Sequence, residues 1–197
     1  ALPPNVQAEI ATRAAAAGRH LLLDKPLALS VPDADRVVAA AAQSGVASEI
    51  FFTNRFNPDV AAFVSTAAAA GGWHAARVAI FGSIFQPGNP FGGSPWRREF
   101  GGLWDVGPHA LSVVLPVLGP VTRVAAIDGV RGITQVLLEH AQGATSTLSL
   151  TLDAAPKATT WEATFFGEDG IQTVPTGTSS AVEAFRIAID QLVGQVD

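Results

Sequence analysis

The stretch His20-Leu21-Leu22-Leu23-Asp24-Lys25-Pro26 decides the fold. It reads as a short buried strand stopped by a charged turn, since a brief apolar run ended by Asp, Lys and Pro fits a strand better than a helix. Upstream, Pro3-Pro4-Asn5 opens a helix in which Val6, Ile10, Ala14 and Ala17 recur at helical spacing and which Gly18 closes. Downstream, Ser30 or Asp33 caps a second helix over about 33–44, which stops at Ser44-Gly45. Val46 to Phe52 forms another buried strand. Helix, strand, helix, strand with short connections is a parallel α/β pattern. Two strands do not make a doubly wound sheet, so partner strands are expected from elsewhere.

Asn54-Arg55-Phe56-Asn57-Pro58 breaks this pattern, and a boundary is placed there, between a first part (1–56) and a second (57–197). An alanine-rich helix runs on to Gly71-Gly72. From Arg77 a strand follows, with Val78, Ile80 and Ile84 on one parity and Ala79 and Phe81 on the other, as if both faces were covered. A loop rich in Gly, Pro and Asn fills 86–102, and a helix spans about 103–118. Four strand-like runs follow near 121–127, 132–139, 144–152 and 159–166, joined by glycine-containing turns. Thr147-Leu148-Ser149-Leu150-Thr151-Leu152 alternates strictly, which predicts one packed and one polar face. Residues 179–196 close the chain as an amphipathic helix through Val182, Phe185, Ile189 and Val193. The fold class is therefore α/β plus α+β: a parallel α/β segment, then a mostly antiparallel sheet with helices on one face.

With 48% hydrophobic and 15% charged residues, the chain is globular in composition. A net charge of -5 and no basic run longer than Arg97-Arg98 argue against nucleic acid or an anionic membrane surface as partner. No apolar stretch reaches the roughly 18–20 residues of a membrane span. Cysteine is absent, which removes disulfide and thiolate chemistry. Methionine is absent too, even at position 1, so the chain reads as a fragment of a longer protein.

The polar residues that stand out are few. Lys25 ends a strand, where parallel sheets collect ligands, and Pro26 restricts its backbone; the Lys25–Pro26 bond can be cis. Asp105 and His109 are spaced i to i+4, which on one helix would give a shared face. Pro108 is best accommodated in a first helical turn, which would leave Asp105 at the helix entry and His109 just inside it. A proton-transfer pair and a capping aspartate beside a structural histidine both fit this spacing. Arg55 and Trp96-Arg97-Arg98 lie in loops able to reach an anionic or polyhydroxylated ligand. His20, His74 and His140 lack metal-ligand spacing, so no metal is expected. No dinucleotide-binding glycine fingerprint or phosphate-binding loop motif is present in the sequence.

Three segments, in order, resemble the glucose-fructose oxidoreductase, inositol dehydrogenase and MocA-like family: Ala17 to Ala28, Asn54 to Pro58, and Gly101-Gly102-Leu103-Trp104-Asp105-Val106-Gly107-Pro108-His109. The resemblance covers essentially the whole chain. It implies a two-domain NAD- or NADP-dependent oxidoreductase. Residues 1–56 would be the carboxyl-terminal part of a Rossmann-type domain, and residues 57–197 an α+β domain for substrate binding and oligomerisation. It assigns catalytic roles to Lys25, Asp105 and His109. Pro3, Pro4, Asn5, Asp24, Lys25, Pro26, Arg55, Trp96 and Arg97 would lie on the cofactor side. Asp24 stands where the family usually has glutamate, and Gln7 where it commonly has histidine. The first β-α-β part of the Rossmann domain, with its glycine fingerprint, has no counterpart in these residues, so the fragment alone is expected to be inactive.

The resemblance further implies hydride transfer between the nicotinamide and a secondary alcohol of a sugar, cyclitol or related polyol, in a cytoplasmic homodimer or homotetramer formed through the large sheet. The rival expectation is a non-catalytic relative that binds a sugar or a partner.

Overall fold

The computed structural model describes residues 2–196, which fall into two compact units, Ala1–Pro58 with Gly177–Asp197, and Asp59–Thr176.

In the first unit, α1 (Pro4–Ala16) and α2 (Val31–Ser44) pack with β1 (Leu21–Asp24) and β2 (Ser48–Phe51), which pair in parallel from Leu21↔Ser48 to Asp24↔Phe51. Ser30 caps α2 by accepting from the Asp33 N–H, and Gly45 closes it in the left-handed conformation. The Asp33 carboxyl is held below its ordinary range, first by its bond with Ser30 and then by Arg36. The inward face of α1 is Gln7, Ala8, Ala11 and Ala15, whereas Val6 and Ile10, expected to lead the buried stripe, are 37% and 43% exposed. Alanines on the inward face let α1 approach its neighbours closely, so small size and not hydrophobic bulk sets this face.

The last helix, α6 (Ala181–Val193), is capped by Ser180 and belongs to this unit, although the sequence alone grouped it with the second part. Ala184 and Ala188 are buried against Phe56, and Phe185 meets Phe51 edge-on at 5.2 Å. Nothing local in residues 179–196 reports this return, because an amphipathic stripe names a face and not its partner.

The second unit is built on a six-stranded sheet of order β4-β5-β6-β3-β7-β8. Its strands are β3 (Trp73–Phe81), β4 (Val121–Asp128), β5 (Thr134–His140), β6 (Thr145–Thr151), β7 (Thr160–Gly167) and β8 (Gly170–Thr173). All neighbours are antiparallel except β3 and β6, which run parallel. The expected mostly antiparallel sheet is present; β8 is an addition to it. One face carries α3 (Pro58–Ala70) and α5 (Gly107–Leu118), whose Val60, Val64, Val113, Val114 and Leu118 close over Val78, Ile80, Leu148 and Leu150. The second face of β3, read as covered, is open: Arg77 is exposed and Ala79 and Phe81 are half-buried. Among the described residues no helix is long and apolar enough to cross a membrane.

Candidate active-site residues

In the first unit the site residues gather at the carboxyl end of β1. Pro3 precedes α1 and its carbonyl accepts from the Val6 and Gln7 amides, Pro4 is buried, and Asn5 is exposed on the first turn. Lys25 and Pro26 are joined by a cis peptide bond. Asp24 folds back so that its Oδ1 accepts the Lys25 N–H at 2.8 Å. Beneath this turn lies Gln7, 3% exposed. Its Oε1 accepts the Asp24 N–H at 3.2 Å, and its Nε2 donates to the carbonyls of Asp24, Pro26 and Leu27 at 2.8, 3.0 and 3.1 Å. One side chain thus fixes both sides of Lys25. Gln7 was passed over as a site residue in the sequence, yet a signal existed: it shares a helical face with Ala11 and Ala15, and a polar group on such a face must find partners.

Arg55 sits in a 3-10 turn, Thr53–Phe56, and is half-buried. Burial pulls its guanidinium below the usual arginine range, with Glu49 opposing the shift. Its Nη1 is buried without a hydrogen-bond partner among the described residues, which leaves a donor suited to an anion.

In the second unit the expected loop 86–102 contains a helix, α4 (Pro95–Asp105), broken at Gly101 by φ 64° and ψ −160°. Glycine takes that conformation without a side-chain clash. The next residue, Gly102, lies on β6 so closely that a Cβ would stand 2.8 Å from the Thr151 Cα. Asp105 is the last residue of α4, and α5 starts at Gly107 with Pro108 in its first turn. Asp105 and His109 therefore lie on successive helices, and not on one face of a single helix. Pro108 is the cause, since it has no N–H to continue the preceding ladder.

Asp105 is 4% exposed, and its Oδ2 accepts from Arg97 Nε at 3.0 Å. Arg97 lies over two rings, 4.6 Å from the centre of Trp96 and 5.0 Å from that of Phe91. The guanidinium's orientation is set by its aromatic neighbours before it meets the carboxylate, and this pre-organisation suits a buried ion pair. His109 is half-buried, and its carbonyl accepts from Ser112 Oγ at 2.7 Å. A fixed carboxylate two residues before a helix that begins with Gly-Pro-His is an arrangement able to bind a hydroxyl and move its proton.

Residues 1–52 match the family model GFO_IDH_MocA, described as an oxidoreductase family with an NAD-binding Rossmann fold. The uncharacterized oxidoreductase YdgJ of Escherichia coli strain K12 is 27% identical over 134 residues, 66% of this chain and 38% of that protein. The amino-terminal quarter of the chain is thus similar to the Gfo/Idh/MocA oxidoreductases. The structure of GenD2 from gentamicin A biosynthesis, in complex with NAD, is 25% identical with a TM-score of 0.80, covering 100% of this chain and 67% of GenD2. The fold also matches the WlbA dehydrogenase of Bordetella pertussis, in complex with NADH and UDP-GlcNAcA, with a TM-score of 0.77 at 20% identity over 99% of this chain and 64% of WlbA. The chain spans well under half of the length of YdgJ, the curated relative it matches.

Proposed function

We propose that the protein is a nicotinamide-dependent oxidoreductase that interconverts a secondary alcohol and a ketone on a sugar, cyclitol or related polyol. The observation that carries this reading is the junction of α4 and α5, where Arg97 and the Trp96 and Phe91 rings fix Asp105 immediately ahead of the turn bearing His109. When bound, the nicotinamide supplies the hydride acceptor or donor. The donors available to a dinucleotide fit that group: Arg55 Nη1 is a buried donor for an anionic oxygen, and Lys25 directly follows the carboxyl end of β1.

In this reading His109 takes the hydroxyl proton during oxidation and returns it during reduction. Asp105 accepts a hydrogen bond from the imidazole or from a neighbouring substrate hydroxyl. Lys25 offers positive charge to the oxygen as it loses its proton. General base catalysis of this kind is typically worth roughly 10²–10⁴-fold. The test is turnover with NAD and NADP across a polyol panel. His109→Ala is expected to lose at least about tenfold in kcat, and a smaller loss would remove His109 from that role. Titration with NADH and NADPH, followed by energy transfer from the tryptophans, checks cofactor binding independently.

The same reading includes a homo-oligomer through the open face of the six-stranded sheet. Ile127 is 70% exposed and Leu137 50% exposed there, beside a shallow cavity of about 320 Å³. Sedimentation at several concentrations tests it, and a monomer throughout would dispose of it.

A further inference from the structure

The second unit holds a cavity of about 460 Å³ lined by Arg97 and Arg98 of α4, by Arg131 of the β4–β5 connection and by the end of β6. Its lining includes one carboxylate, Asp153. The charges do not cancel. Arg97 is met by Asp105, and Arg131 is met by Asp153, with Nε on the Asp153 carbonyl at 2.8 Å and Nη2 on its Oδ1 at 3.1 Å. Arg98 has no carboxylate within ion-pair distance among the described residues. It donates one hydrogen bond, to the Gly92 carbonyl at 2.7 Å, and stacks on Phe85 at 4.7 Å. A guanidinium has five N–H groups, so most of the Arg98 fork is available to a ligand.

Arg131 supplies a second, independent observation. With φ 56°, it is the sole non-glycine residue at positive φ among the described residues. Thr151 Oγ1 pins it there by donating to the Arg131 carbonyl at 2.8 Å, and the same hydroxyl accepts the Asp153 N–H at 3.0 Å. Thr151 is 1% exposed, so this brace is internal. A bulky side chain kept in a rarely populated conformation beside a cavity is characteristic of positions used for binding.

We propose that this cavity receives an oxyanion, the carboxylate or phosphate group of an acidic sugar. Arg98 and Arg131 would grip its oxygens, while Asp105, reached through Arg97, lies on the side of the proposed hydroxyl chemistry. Guanidinium forks match such oxygens in a bidentate way that a neutral hydroxymethyl group does not reproduce. A volume near 460 Å³ accommodates a group of hexose size. The inference rests on the reading that the second unit holds the substrate and narrows it to an anionic one.

The test is calorimetric titration of the full chain, without nicotinamide, with glucuronate, glucose 6-phosphate and glucose at low salt. At least one acid is expected to bind about tenfold or more tighter than glucose, and its identity tells carboxylate from phosphate. Arg98→Gln and Arg131→Gln are each expected to weaken the preferred acid by about tenfold, with glucose unchanged, and added salt should weaken it too. Binding of glucose as tight as both acids would overturn the proposal. So would failure of both acids to bind, or wild-type affinity in both folded variants. No turnover is measured, so a failure of the hydride-transfer reading shows only in the cofactor and His109→Ala experiments.

Discussion

Gln7 and Asp24 exchange hydrogen bonds in both directions, the amide oxygen accepting the Asp24 N–H and the amide nitrogen donating to the Asp24 carbonyl. The same nitrogen serves Pro26 and Leu27, so α1 holds the turn that carries Lys25 through a single buried side chain. Gln7→Ala would leave buried backbone groups unpaired, which costs about 2 kcal/mol. Urea denaturation should show that loss. Gln7→Glu should be worse, because an acceptor-only carboxylate would face several carbonyl oxygens. In turnover assays Gln7→Ala should lower kcat more than it changes cofactor affinity, as befits a residue that positions Lys25.

Gly102 makes an equally sharp prediction. Its Cα rests on β6, and an added Cβ would come within 2.8 Å of one Thr151 backbone atom and 2.9 Å of another. Backbone cannot yield as a flexible side chain can, so Gly102→Ala should push α4 from the sheet and cost about 3 kcal/mol. Gly93→Ala is the control. A Cβ there meets nothing within 4 Å, and its stability should stay within about 0.5 kcal/mol of the parent. Thermal unfolding of the two variants side by side decides the matter.

These two positions show what could be read in the sequence and what could not. The apolar run ending at Asp24-Lys25-Pro26 marked β1 because both its period and its stop are local signals. Ser30 and Gly45 marked the ends of α2 for the same reason. The alternation of 147–152 located β6, but not the burial of Thr151, which follows from Gly102 pressing on it and from the Arg131 carbonyl. The helix 95–105 was hidden by Gly101 and Gly102, which read as loop residues until the sheet beneath them is known. Pro108 was legible as a first-turn residue, which set Asp105 ahead of a helix and His109 just inside it, as α5 shows; that Asp105 also ends a preceding helix was not. Long-range placement was the least legible: α6 returns to the first unit through Phe51, Phe56 and Phe185, and those contacts have no local signature.

The Arg97–Asp105 pair should behave as a buried ion pair does. The Asp105 side chain is 5% exposed and that of Arg97 19%. Arg97→Ala would remove the guanidinium that faces a buried carboxylate, and a loss of about 3 kcal/mol is expected. Arg97→Lys should recover only part of it, since an ammonium neither stacks on Trp96 and Phe91 nor keeps the planar fork. Adding Asp105→Asn to Arg97→Ala should restore stability in part by removing the buried charge, while leaving turnover low. A stability gain without an activity gain would separate the structural part of Asp105 from its chemical part.

His140 ties α5 to the β5–β6 hairpin from the far end. It is 1% exposed, with Nδ1 at 2.8 Å from the Gly119 carbonyl that follows α5 and Nε2 at 2.9 Å from Ser146 Oγ. Both ring nitrogens are thus engaged, one with the helix end and one with β6. His140→Phe keeps an aromatic ring in place but leaves the Gly119 carbonyl and the Ser146 hydroxyl without their partner, at a cost of about 2 kcal/mol or more. Ser146→Ala alone should cost less, near 1 kcal/mol, because the ring retains its bond to Gly119. The double variant should then cost less than the sum of the two, as the orphaned hydroxyl is gone. Denaturant midpoints of the four proteins give that coupling directly, and strict additivity would mean that His140 holds α5 through Gly119 alone.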